Sequence, residues 1–259
     1  MAFKAAVCPS CAGELQVPDN RDLVKCMYCG SDIIVREVLR TGSTVNIENI
    51  LKLARVAEKS NNYIEAYKYF SQVLEHETQN AEAWFGRGTA VGRQSTIDDL
   101  RLKEMISCYE NAMQYASENE RKKLMEDAAN TINEIAVNCW NKVIALEPED
   151  HKDYATWIEE YYNGVTIVVR ESLTAALEFA PENTLILKNI ICISTDVLGR
   201  APRSATKDLQ KMIDDFVRRL KLLESDYSPP KARKFWTRMM GFMINEMADF
   251  SFLGGSNIL

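Results

Sequence analysis

Four of the chain's seven cysteines fall within its first 29 residues, in the pattern Cys8-x2-Cys11-x14-Cys26-x2-Cys29. Two thiolates separated by two residues can turn onto one ion from a tight knuckle. Two such knuckles complete the tetrahedron that Zn²⁺ accepts. Four protein ligands leave no open position, so the spacing predicts one structural zinc rather than a catalytic one. A thiol–disulfide redox pair needs a βαβ pattern around its Cys-x-x-Cys, and none surrounds either pair. Cys108, Cys139 and Cys192 stand apart in helical sequence, where cysteine serves as a small buried hydrophobe.

The residues that must position these thiols alternate as strands do. "ELQV" precedes a "PDN" turn, "LVKC" follows it, and "DIIV" closes the segment. Eight aliphatics (Val7, Leu15, Val17, Leu23, Val24, Ile33, Ile34, Val35) are too few to order so short a piece alone, which supports a metal. Cys8, Pro9, Cys11, Cys26, Cys29 and Gly30 resemble the zinc-ribbon family, whose knuckles read Cys-Pro-x-Cys-Gly. Two positions depart from that pattern: Ala12 replaces the knuckle glycine and Met27 the proline. Gly13 is then expected to take the left-handed position one residue late. Iron centres of rubredoxin type set their pairs farther apart.

Beyond Arg40 a polar stretch, "TGSTVN", leads into apolar residues spaced by three and four, the period of helices. Four stretches align: "LEHETQN" from 74, "MQYASEN" from 113, "IALEPED" from 144 and "LEFAPEN" from 177, with spacings of 39, 31 and 33. Each ends one helical pattern and opens the next on a capping residue. A period near 34 with two helices per unit resembles the tetratricopeptide repeat (TPR) family. Leu53-Ala54, Ala66, Phe70 and Leu74 carry the first unit; Trp84, Gly88, Tyr109 and Ala112 carry the second, after an insertion near 95–100. Later units are degenerate but keep Pro148 and Pro181.

The resemblance implies a mostly α fold, a right-handed α-solenoid of TPR-like helix pairs behind a small N-terminal β zinc ribbon. Its parts are a ribbon over 1–38, repeats over 45–200 and a C-terminal helical cap over 205–259. By family register, Leu51, Arg55, Glu58, Lys59, Phe85, Thr89 and Arg93 face the groove that holds a peptide or partner protein. Leu51 and Arg55 replace the Lys and Asn of the chaperone-tail-binding subgroup, which argues against that ligand class.

Residues 207–226 form an amphipathic pattern, with Leu209, Met212, Ile213, Phe216, Leu220 and Leu223 in one stripe. Residues 231–252 hold Phe235, Trp236, Met239, Met240, Phe242, Met243 and Met247. So apolar a helix must be covered, and it is expected to cap its own chain as a monomer. The alternative is a homodimer through the same helix.

Charge narrows the function. The chain has 259 residues, 31 basic and 37 acidic, for a net charge of −6. Residues 1–40 carry five basic and five acidic side chains, and a zinc–thiolate centre adds negative charge. Nucleic-acid binding demands a basic footprint that is missing here. No leader and no membrane-length apolar run is visible, which predicts a cytoplasmic protein. His76 and His151 stand alone, Glu159 and Glu160 read as a helix surface, and "VGRQS" is no phosphate loop. The sequence therefore predicts a non-enzymatic interaction or scaffold protein. The alternative is a nucleic-acid-associated accessory factor docking through its ribbon.

Overall fold

Asparagine opens one helix after another. Asn46, Asn62 and Asn80 each accept a hydrogen bond from the backbone N–H three residues on, at Asn49, Glu65 and Ala83. That bond satisfies one of the donors a helix start leaves unpaired. The helices so begun are α2 (Ile47–Lys59), α3 (Tyr63–His76) and α4 (Ala81–Arg93). Between α2 and α3 the chain reverses through Asn61 at φ +58°, in the left-handed region that Asn tolerates. Asn183 repeats the capping bond to Ile186 farther along. Asn80 and Asn183 are the last residues of two of the aligned stretches.

The computed structural model describes residues 3–41, 46–148, 154, 156–200 and 206–232. It is mostly α, 69% helical, with a small N-terminal region of two β-hairpins. Residues 42–45 of the polar stretch, His151, and the apolar C-terminal segment from 233 lie outside the described residues. The chain divides into two compact units, Met1–Gln94 with Ser107–Arg121, and Ser95–Ile106 with Lys122–Leu259.

In the first unit, β1 (Phe3–Val7) pairs antiparallel with β2 (Glu14–Pro18), from Phe3 opposite Pro18 to Val7 opposite Glu14. β3 (Leu23–Lys25) pairs with β4 (Asp32–Ile34). β2 and β3 do not pair, so Pro18-Asp19-Asn20 joins two hairpins instead of turning one. Leu15, Val17 and Ile33 point inward, and α1 (Val35–Thr41) adds Val35 and Val38. Leu53 of α2 and Tyr69 of α3 pack on this small core. Two hydrogen bonds fasten the ribbon to the head of α2: Asn46 N–H to the Pro9 carbonyl (2.8 Å) and Asn49 Nδ2 to the Ser10 carbonyl (2.7 Å).

The helical core of this unit joins Ile50, Ala54, Ala66, Phe70, Val73, Ala83 and Ala90. Small residues let the backbones approach, as the sequence implies for Ala54 and Gly88. Gly86, which the repeat pattern does not mark, is in closer contact still. A Cβ there would fall on the Phe70 ring. Helix α5 (Leu102–Tyr115) brings Tyr109 against Phe85, with ring centroids 4.7 Å apart.

Helix α6 (Glu118–Ala145), which lies in the second unit from Lys122 onward, runs 28 residues, about twice the length of each of α2 to α5. A π-helical turn, Ile158–Tyr162, feeds α7 (Asn163–Phe179), followed by α8 (Thr184–Arg200) and α9 (Thr206–Leu223). α8 buries Ile186, Leu187, Ile190, Ile191 and Ile193, and its Asn189 donates to Asn133 of α6 at 2.9 Å. Within α9, Ile213 and Leu220 of the expected stripe are buried, whereas Leu223 is exposed. No helix among the described residues is long and apolar enough to cross a membrane.

Candidate metal centre

The two knuckles are the same structure built twice. In the first, Cys8 N–H donates to the Gly13 carbonyl and Ala12 N–H to the Cys8 carbonyl. In the second, Cys26 N–H donates to the Ser31 carbonyl and Gly30 N–H to the Cys26 carbonyl. Ser10 N–H and Tyr28 N–H point at the sulfurs of Cys8 and Cys26, each at 3.4 Å. Each hairpin thus carries its cysteine pair in its own turn, and strand pairing fixes where the pair points.

One sequence expectation is corrected here. Gly13 does not take the left-handed position. Ala12 holds it itself, at φ +55°, matching Gly30 at φ +73° in the second knuckle. The twofold hydrogen-bond pattern fixes that position whatever its residue, and Ala12 tolerates it at a strain of about 1–2 kcal/mol. Gly13 is small for another reason. A Cβ on it would stand 2.6 Å from Cδ2 of Tyr28, so the ring of one knuckle closes over the backbone of the other.

The four sulfurs converge. Cys8 and Cys29 are 3.7 Å apart, Cys11 and Cys26 are 3.7 Å apart, and all four lie within 4.8 Å of one another. Sulfurs about 2.3 Å from one tetrahedral ion stand about 3.8 Å apart, so the four are close enough to hold one such ion. The separations are too long for a disulfide bond of about 2.05 Å. Cys8, Cys11 and Cys26 are buried and Cys29 is half-exposed. Burial pushes the Cys8 and Cys11 thiols up. Burial also opposes ionisation of Cys29, but hydrogen bonds from Ser31 and the thiols of Cys11 and Cys26 outweigh it and lower this group to about 7.

The residues that the repeat register assigns to a groove have varied surroundings. Leu51 belongs to the helical core and is 8% exposed. Arg55 makes a two-pronged ion pair with Glu82 of α4, one arm at 2.6 Å. Glu58 is half-buried; burial raises its carboxyl, the neighbouring Glu82 adds to that, and Arg93 opposes it. Phe85 stacks on Tyr109, and Thr89 shares a 2.9 Å hydrogen bond with the Tyr109 hydroxyl. Lys59 is exposed and Arg93 half-buried. Of the seven, Arg55 and Glu58 lie beside the exposed Glu82, and Arg93 acts on Glu58.

A second polar cluster, in the second unit, has no sequence signature. Arg200 bonds Glu147 at 2.9 and 3.1 Å, Asp196 at 2.9 and 3.2 Å and the Tyr154 hydroxyl at 2.8 Å. Its guanidinium lies 5.4 Å from the Trp157 ring centre and 5.0 Å from that of Tyr162, whose hydroxyl donates to Asp196 at 2.6 Å. Burial opposes the arginine's charge, but Glu147 and Asp196 overcome it and raise its proton affinity. Every polar group here is spent on another, so the cluster is a fastening of α8 to the chain after α6. Glu147 and Arg200 are 53 residues apart, beyond the reach of any local pattern.

No protein-family model matches the chain, and no curated protein sequence matches it.

Proposed function

We propose that this protein is a non-enzymatic adaptor, in which a structural zinc ribbon rigidifies one end of a helical module that binds a peptide or partner protein. The observation that carries the reading is the closed cage of Cys8, Cys11, Cys26 and Cys29. Four thiolates fill the coordination shell of a tetrahedral ion and leave no position for substrate or water. Zinc held there supplies a cross-link worth about 10–16 kcal/mol in structural sites. The cage core in turn packs on Leu53 and Tyr69, so folding of the ribbon and seating of α2 and α3 support each other.

The helical part is read as TPR-like pairs with the right-handed winding of that family. Helices of 13, 14, 13 and 14 residues in succession, α2 to α5, support this, as do Ala54, Ala66, Phe70 and Gly88 at the contacts the pattern requires. The family's groove would then be the α2/α4 face carrying Arg55, Glu58, Lys59 and Arg93.

The test is affinity capture by the zinc-loaded chain, read by quantitative mass spectrometry against a Lys59→Glu/Arg93→Glu variant with unchanged circular dichroism. A partner depleted at least tenfold by the variant is the expected result. Capture identical for both chains removes the α2/α4 face from the reading.

A further inference from the structure

A cleft of about 1050 Å³ opens inside the first unit, between the ribbon and α3. Its volume reaches the upper end of small-molecule pockets, about 300–1,000 Å³, yet its walls are those of a strand-binding groove.

One wall is β1. Among the described residues this strand pairs only with β2. Alternate residues of a strand turn their N–H and C=O groups to opposite sides, so the outer edge of β1 offers unpaired groups over roughly 17 Å. Such an edge is a template for another strand. The facing wall is α3, and from it Gln72 lines the cleft with a side-chain oxygen that is buried and has no hydrogen-bond partner. A buried acceptor left unmade costs about 1–3 kcal/mol, which a donor entering the cleft would recover.

Charge sets the sign of that donor. Glu14, Glu65 and Glu75 line the cleft against the ammonium of Lys68 and the imidazole of His76. Glu14 and Glu75 have no ion-pair partner among the described residues. Tyr28 also lines the cleft and is 60% exposed, so its ring offers a surface a cation can sit against.

We propose that this cleft docks an extended, lysine- or arginine-bearing peptide segment of a partner protein, laid along the free edge of β1 with its basic side chains toward α3. The inference rests on the interaction reading above but places binding in the ribbon cleft, not on the α2/α4 face. The two can therefore fail separately.

The experiment is fluorescence anisotropy of the zinc-loaded full chain with a labelled ten-residue peptide of alternating lysine and valine. Saturable binding is expected, with Glu65→Lys/Glu75→Lys weakening it at least tenfold and Gln72→Leu several-fold at unchanged zinc content. The same charge reversal outside the cleft, Glu110→Lys/Glu118→Lys, should change affinity less than twofold, and so should Lys59→Glu/Arg93→Glu. An alternating lysine–proline peptide, which lacks the N–H donors of a strand, should bind at least tenfold more weakly. The proposal is overturned if the basic peptide does not bind or if a glutamate–valine peptide binds as well. Equal weakening by both charge reversals, or an equally tight lysine–proline peptide, overturns it too.

Discussion

The ring of Phe70, on α3, occupies the space that Gly86, on α4, leaves by having no side chain. Phe70 is 1% exposed and has no room to withdraw. Replacing a helix-interior glycine by alanine ordinarily gains up to about 1 kcal/mol. Here overpacking, at about 1–3 kcal/mol, wins. Gly86→Ala should lower stability by about 1–2 kcal/mol in urea unfolding. In a Phe70→Leu background, where the ring is gone, the same change should be neutral or stabilising. Additive effects in that cycle would show that the two residues do not compete for one space.

The cage should hold one zinc per chain. Cys26→Ser removes a buried ligand whose sulfur stands 3.7 Å from that of Cys11. It should abolish stoichiometric zinc and unfold the hairpins, while most of the helical circular dichroism remains. Elemental analysis reporting iron, or a folded ribbon without metal, would sink the zinc reading.

Two arginine–carboxylate pairs separate burial from chemistry. Arg200 serves Glu147 and Asp196 with side chains 11–18% exposed, whereas Arg55 and Glu82 are 44% and 46% exposed. Arg200→Leu should cost about 3–5 kcal/mol, because two carboxylates are left buried without their cation. Arg55→Ala should cost about 0–1 kcal/mol. Similar losses in chemical denaturation would mean that the second unit relaxes to hydrate its acids.

Glu58 gives a pH dependence with a defined sign. Its carboxyl is raised on folding by burial and by Glu82. The folded state therefore holds the proton more tightly, and stability falls as pH rises through the folded value. Glu58→Gln should raise the melting temperature at pH 7 and leave it unchanged near pH 4. An equal rise at both pH values would assign the effect to packing.

With a net charge of −6, the protein should not retard duplex DNA at about 150 mM salt. Retardation at micromolar protein with a steep salt slope would favour the nucleic-acid reading instead.

The cysteine cage was legible because its information is local. Four ligands within 22 residues, in two identical knuckles, converge through backbone turns that sequence spacing specifies. The Asn-capped start of α4 was legible for the same reason, since Asn80 closes an aligned stretch and accepts from the backbone N–H only three residues on, at Ala83.

What the sequence by itself determined was therefore which four cysteines converge and that the rest of the chain is mostly helical, both set by interactions within a turn or a hairpin. Only the tertiary structure decided that β2 pairs back to β1 and not across Pro18-Asp19-Asn20. It also decided that Ala12 holds the left-handed position, that Gly86 yields to Phe70, and that Glu147 meets Arg200. Each depends on which surface is pressed against which. A residue's own neighbours in sequence carry no record of that, because packing and buried charge pairing are settled between segments that meet only once the chain has folded.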